Sequence, residues 1–170
     1  MIDYLLTEEQ TMIRDLCRQI TDEKIRPVAA EYDKSEKFPW DVVKVMAQSD
    51  LFGVYIDQKY GGMGGGVFEL CLATEEFSRA CAGIAICYSA SALGAYPIIL
   101  CGSDEQKMKY LPAIAKGEKL AAFGLTEPGA GSDASALSTT AEKKASAFSG
   151  ETDPARGPVS NSRSRATAFR

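Results

Sequence analysis

Histidine is absent from the 170 residues, and its absence removes much of ordinary enzyme chemistry. Without imidazole there is no Ser-His or Cys-His catalytic pair and no Cys/His zinc site. Cysteine occurs five times, at Cys17, Cys71, Cys81, Cys87 and Cys101, but no two form a C-x-x-C pair. No metal site is therefore expected. The N-terminus, Met1-Ile2-Asp3-Tyr4, has no basic stretch and no long apolar run, so no signal peptide is read there. An odd cysteine count in that setting implies reduced thiols in a cytoplasmic compartment, all five acting as small buried hydrophobes. Positive charge is also scarce: 19 Lys and Arg stand against 23 Asp and Glu, a net charge of −4. That balance argues against nucleic acid or an anionic membrane surface as partner. Apolar residues are plentiful at 45%, enough for a packed core in one domain, or in one domain and a piece of another.

Charge disappears altogether between Ala80 and Ser103. The run is long enough to cross a bilayer. It is soft, however, with Ala, Gly, Ser and Cys dominating and Pro97 interrupting it, and its flanks, Arg79 and Asp104-Glu105, give no anchor pattern. It reads as a helix buried on all sides of a soluble core rather than as a membrane span.

The preceding residues are helical. Thr7-Glu8-Glu9-Gln10 forms a capping box, and Ile13, Leu16, Cys17 and Ile20 follow on one helical face. Pro27 resets this helix, and the polar residues up to Glu36 suggest an exposed continuation. Pro39 opens a second helix whose apolar side is Val42, Val43, Met46 and Leu51. The cluster Gly61-Gly62-Met63-Gly64-Gly65-Gly66 invites a phosphate-loop reading. Val67 stands where the dinucleotide fingerprint needs glycine, and no Gly-Lys-Ser/Thr follows, so it reads as a turn between helices. A third helix is expected over residues 67–82 and the uncharged one around 83–96. Ser103-Asp104-Glu105-Gln106, a second capping box, opens a short helix ending near Lys116-Gly117.

Ala121 to Thr126 lose helical periodicity and read as a first strand. From residue 138 onward there is no Leu, Ile, Met, Cys, Trp or Tyr. Residues 145–170 are rich in Ser, Pro, Gly and Arg and cannot bury enough surface to offset their ordering entropy, so they read as disordered. Residues 1–144 carry a charge of −6 and the remainder +2. The fold class expected is mainly α: a helical domain over residues 1–119, the start of a β-domain over 120–144, and a disordered tail over 145–170.

The chemically informative stretch is Phe123-Gly124-Leu125-Thr126-Glu127-Pro128-Gly129-Ala130-Gly131-Ser132-Asp133. Gly129 and Gly131 let the backbone approach a ligand closely, and Thr126 and Ser132 add hydroxyl donors and acceptors. Such a loop suits the polar edge of a heterocycle beside a phosphate, or forms an ordinary turn. The run from Leu125 to Asp133 resembles the signature of acyl-CoA dehydrogenases. So do Leu6-Thr7-Glu8-Glu9-Gln10, Tyr60-Gly61-Gly62-Met63-Gly64, Gly102-Ser103-Asp104-Glu105-Gln106-Lys107 with Tyr110-Leu111-Pro112, and Gly117-Glu118-Lys119-Leu120-Ala121-Ala122-Phe123-Gly124, the last in its butyryl-CoA form. The resemblance covers residues 3–144.

What the resemblance implies is an N-terminal helical domain, a middle β-domain and a C-terminal four-helix bundle, with FAD between the last two. Phe123, Gly124, Leu125, Thr126, Glu127, Pro128, Gly129, Ala130, Gly131 and Ser132 would border the flavin, with Thr126 bonding its pyrimidine edge. Ser132 would also reach the pyrophosphate or the CoA pantetheine, and Leu93 and Tyr96 would stand in the far wall of the acyl pocket. The implied reaction is α,β-dehydrogenation of a short-chain acyl-CoA in fatty-acid β-oxidation, with electrons passed to electron-transfer flavoprotein by a homotetramer. After Lys143-Lys144 the family continues with an Asn-Gly turn and a Trp-Ile-Thr segment; here Ala145 onward departs, and the one tryptophan is Trp40. No residue matches the catalytic glutamate, and Glu127 belongs to the loop rather than to the chemistry. The expectation is therefore a truncated chain, inactive alone, that binds acyl-CoA and FAD only in part. Two alternatives remain: a non-catalytic helical module that associates with a full-length homologue, and a small membrane protein using residues 80–103.

Overall fold

The computed structural model of the chain describes residues 5–144 and 147–151. It divides into two compact units, residues 1–123 and 124–170. The first is helical. Helix α1 (Glu8–Ile20) starts at the capping box, where the Gln10 amide N–H donates to Thr7 Oγ1 at 3.2 Å and the Thr7 N–H donates to Gln10 Oε1 at 3.0 Å. The chain does not wait for Pro27 to change course. A π-helical turn (Thr21–Ile25) follows α1 directly, and the Thr21 hydroxyl donates to Cys17 O at 2.7 Å and to Glu76 O at 3.0 Å. An inserted hydroxyl of this kind is a recognised cause of local helix widening. Helix α2 (Ala29–Ser35) buries no residue fully, in keeping with its polar sequence.

Helix α3 (Trp40–Gln48) turns Val42, Val43 and Met46 inward, and Leu51 follows them in a 3₁₀ turn (Leu51–Gly53). The glycine cluster is a turn: Gly61 and Gly64 take φ of +82° and +84°, values that a side chain resists. Helix α4 (Val67–Ser78) then packs on α1. Glu69 fixes their near ends, accepting from the Gly66 N–H at 2.7 Å and from Gln10 Nε2 at 2.7 Å. Helix α6 (Asp104–Ala115) begins at its capping box, with Ser103 and Gln106 in the reciprocal bonds.

Between α4 and α6 runs α5 (Ala82–Cys101), 20 residues long and continuous through Pro97. Two expectations are corrected here. Pro97 does not interrupt the helix; it lies on the exposed side, and packing of the helix's inward face from Ile84 to Ala95 holds α5 together against a proline penalty of about 3 kcal/mol. Nor is α5 buried all round. Ile84, Ala85, Tyr88, Ser91, Ala92 and Ala95 face the core, while Ile86, Leu93 and Leu100 are 61%, 56% and 73% exposed. By length and composition alone α5 is apolar enough to cross a membrane.

Tyr88 is the hub of the core. Its ring lies 5.4 Å from Phe52 and 5.3 Å, edge-on, from Phe77, and its hydroxyl donates to Leu51 O at 2.9 Å. Full burial of each such ring is worth about 1.5–3 kcal/mol. The expectation that all five cysteines are buried is also corrected: Cys17 is buried, Cys81 and Cys87 are half-buried, and Cys71 and Cys101 are exposed. Helical period decides this, because Cys71 lies two and six positions from Ala73 and Phe77, the residues of α4 that face inward.

No strand forms over Ala121–Thr126, contrary to the sequence reading. A strand needs a ladder partner, and among the described residues this stretch has none; its Ala121 N–H donates instead to the Ser91 hydroxyl at 3.1 Å. The second unit holds a short 3₁₀ turn (Ala134–Ala136) and an antiparallel hairpin, β1 (Thr140–Lys144) with β2 (Ala147–Glu151), in register from Thr140 opposite Glu151 to Lys144 opposite Ala147. Residues 147–151 therefore depart from the disorder expected of them, because an adjacent strand supplies their backbone partners. The expectation of disorder over 152–170 falls outside the described residues.

Candidate functional site

The segment leading toward the glycine-spaced loop is seated on α5. Ser91 and Gly94, three residues apart, lie on one helical face. Ser91 accepts the Ala121 N–H, and a Cβ on Gly94 would stand 2.4 Å from the Ala122 nitrogen, so only glycine permits the approach. Of the two acyl-wall residues read from the sequence, Leu93 adjoins this contact and projects into solvent at 56% exposure. Tyr96 is half-buried and stacks on Tyr55 with ring centroids 6.0 Å apart. Its hydroxyl is buried and, among the described residues, has no hydrogen-bond partner; burial, with Cys71 and Glu69 nearby, pushes its phenol above the ordinary range. Phe123, which ends this unit, is 46% exposed.

The loop itself begins with a tight reversal. The Glu127 N–H donates to Ala130 O at 2.9 Å and the Ala130 N–H donates back to Glu127 O at 3.1 Å, closing a turn on Pro128-Gly129. Ala130 is buried; Gly124, Leu125, Thr126, Pro128, Gly129, Gly131 and Ser132 are exposed. A Cβ placed on Gly124 or Gly131 would meet nothing within 4 Å, so packing within this chain does not demand glycine there. Glycine at such a place leaves room for something else to approach the backbone. Beside that open backbone stand the exposed hydroxyls of Thr126 and Ser132.

Glu127 is half-buried and engaged within the loop. Its carboxylate accepts from the Thr139 hydroxyl, from the Ser138 N–H and hydroxyl at 2.9 Å each, and from the Thr139 N–H at 2.8 Å. Those donors, the Thr139 hydroxyl foremost, hold its pKa down to about 2. A carboxylate so stabilised is a poor general base. Asp133 serves as a turn residue, accepting from the Ser135 hydroxyl. Among the described residues no group of three metal ligands forms. A separate cleft of about 340 Å³ lies at the start of α5, walled by Tyr32, Phe38, Ile84, Cys81 and Cys87.

Sequence reasoning missed Ser91, Gly94, Ser138 and Thr139. Two signals were available: a serine and a glycine spaced i, i+3 in an otherwise apolar helix, and the Ser138-Thr139-Thr140 run of hydroxyls just past the motif.

A helical unit handing on to an open, hydroxyl-bearing glycine loop defines a class of protein, and the comparisons agree on which. The family described as acyl-CoA dehydrogenase, N-terminal domain, matches residues 7–118. The chain belongs to the acyl-CoA dehydrogenase family. It is 43% identical over 141 residues to the short-chain-specific acyl-CoA dehydrogenase of Clostridium acetobutylicum, a match covering 82% of this chain and 37% of that protein. It is 46% identical over 140 residues to 3-(aryl)acrylate reductase of Clostridium sporogenes, covering 81% and 37%. The chain thus spans well under half the length of the curated relatives it matches. A solved acyl-CoA dehydrogenase from Bacillus anthracis, complexed with FAD, superposes with a TM-score of 0.77 at 37% identity, covering 86% of this chain and 26% of that one.

Proposed function

We propose that this chain is the N-terminal part of an FAD-dependent acyl-CoA dehydrogenase that oxidises the α,β bond of short-chain acyl-CoA thioesters. The observation that carries this reading is the loop: open backbone at Gly124 and Gly131 in the same stretch as the exposed residues Thr126 and Ser132. These residues fit a flavin. Thr126 would bond the polar edge of its ring, Leu125, 43% exposed, would lie against the ring's apolar face, and Ser132 would reach a phosphate or the pantetheine. FAD, when bound, supplies the acceptor for a hydride from the β-carbon. Leu93 and Tyr96 would bound the acyl chain, as the family resemblance implies. Electron-transfer flavoprotein as acceptor, a homotetrameric state and a cytoplasmic site belong to the same reading. The chain alone is read as inactive, since no residue of its motifs matches the family's catalytic glutamate.

Titrating FAD into the purified chain tests the reading. The wild type should quench flavin fluorescence saturably. Gly131→Ala should keep the helical circular dichroism and thermal melt yet bind at least about tenfold more weakly, because the new methyl occupies space only a ligand needs. A wild type that leaves flavin fluorescence untouched, or a variant that binds as well as the wild type, would overturn it. Dye reduction by butyryl-CoA in the isolated chain would refute the inactivity.

A second reading, a non-catalytic helical module that associates with a full-length homologue, is favoured by the exposed apolar line Ile86, Leu93 and Leu100 on α5. Co-purification of the tagged chain with a full-length relative would support it.

A further inference from the structure

Glu127 joins the two ends of the loop. Its backbone exchanges both hydrogen bonds with Ala130, and its side chain reaches forward eleven and twelve residues to Ser138 and Thr139. Thr140, the next residue, opens β1. Residues 127–139 are therefore a closed ring fastened at a single carboxylate, with Thr126 at its entrance and Ser132 on its rim. The four donors reaching that carboxylate are two backbone N–H groups and two hydroxyls, all neutral. A half-exposed carboxylate can be solvated without such an arrangement, so its main consequence is geometric: it sets the path of the backbone that displays Gly131 and Ser132. Ionised acceptors form the stronger hydrogen bonds, and several converging on one group restrict a loop more than they do singly.

We propose that the Glu127 side chain is a positioning group for the loop's ligand: the backbone of Glu127 borders the ligand with the rest of the loop, while its carboxylate, engaged by Ser138 and Thr139, holds Thr126, Gly131 and Ser132 in the arrangement that receives one. This inference rests on the flavin reading above and adds to it a residue that acts from behind the loop. The carboxylate matters as a four-site acceptor, so glutamine cannot replace it. A glutamine amide nitrogen would face N–H or O–H donors and turn attraction into conflict.

The experiment compares wild type, Glu127→Gln and the double variant Ser138→Ala/Thr139→Val, which keeps the carboxylate and removes only two hydroxyl donors. Amide hydrogen exchange is followed over residues 124–140 without flavin, and FAD binding is measured by fluorescence and by the position of the visible absorption band. Glu127→Gln should exchange at least about tenfold faster over 127–139, with residues 8–115 unchanged. Its affinity for FAD should fall at least about tenfold, and the band should shift toward that of free flavin as the Thr126 contact loosens. The double variant should fall between the two. Unchanged exchange in Glu127→Gln overturns the inference, and so does a loosened loop that binds FAD with wild-type affinity and spectrum. Either result leaves the flavin reading standing if the wild type binds; a wild type that takes no flavin overturns both.

Discussion

Glu76 carries a charge at 5% exposure, which is costly for a carboxylate unless it is paired. Burial alone would raise its pKa. The hydrogen bonds and charges of Arg18, at 2.8 Å, and Arg79, at 2.7 Å, outweigh that and hold the carboxyl below its usual range. Because the folded-state pKa is depressed, the stabilisation is present at neutral pH. It is lost as pH falls below about 4.5 and through the depressed folded value. The two arginines are each about 40% exposed at the side chain and can turn to solvent when their partner is removed. Glu76→Gln should therefore cost about 1–3 kcal/mol, less than the breaking of a fully enclosed pair, read as a lower urea midpoint with an unchanged slope. The variant should also lose part of the wild type's dependence of stability on acid. An unaltered midpoint at pH 7 would show that the pair is neutral in its net effect.

At the scale of elements, α5 organises the helical unit. Its inward face is built mainly of small residues, Ser91, Ala92, Gly94 and Ala95, beyond Ile84 and Tyr88, and that is why the 121–122 segment approaches it so closely. At Gly94 the approach is limited by backbone, not by a movable side chain. Gly94→Ala should thus be destabilising despite alanine's better helix propensity, by about 1–3 kcal/mol of overpacking against a gain of about 1 kcal/mol. A thermal melt decides the sign: a raised midpoint would mean that the 121–122 segment moves away at no cost. The helix starts at Thr7 and Ser103 were legible because a capping box is a local event among four residues. The course of α5 through Pro97 and the missing strand at 121–126 were not. One depends on burial by other helices and the other on a ladder partner, and neither is written in the segment itself. The clamp on Glu127 was hidden for a related reason: its partners stand eleven and twelve residues away in a stretch with no apolar pattern.

On the scale of the whole molecule, the helical unit leaves a line of large apolar side chains in water along α5, with Ile86, Leu93 and Leu100 each more than half exposed and seven residues apart. A spacing of seven keeps them on one side of the helix. Such a line favours association, and Leu93→Ser with Leu100→Ser should leave the melting temperature within about 2 °C while lowering light scattering at high protein concentration. A clear loss of melting temperature would instead show that these side chains support the fold.

The sequence by itself determined the helical class of residues 8–115, the positions of the capped helix starts, the turn at the glycine cluster, and the family, through motifs whose information is local. Only the tertiary structure decided which face of α5 is wet, which cysteines are buried, that 121–122 rests on Ser91 and Gly94, that 121–126 does not pair as a strand, and that Glu127 ties the loop shut. Each of these is a property of residues far apart in the chain. Burial and hydrogen-bond partnership at a distance exist only once the backbone has brought those residues together.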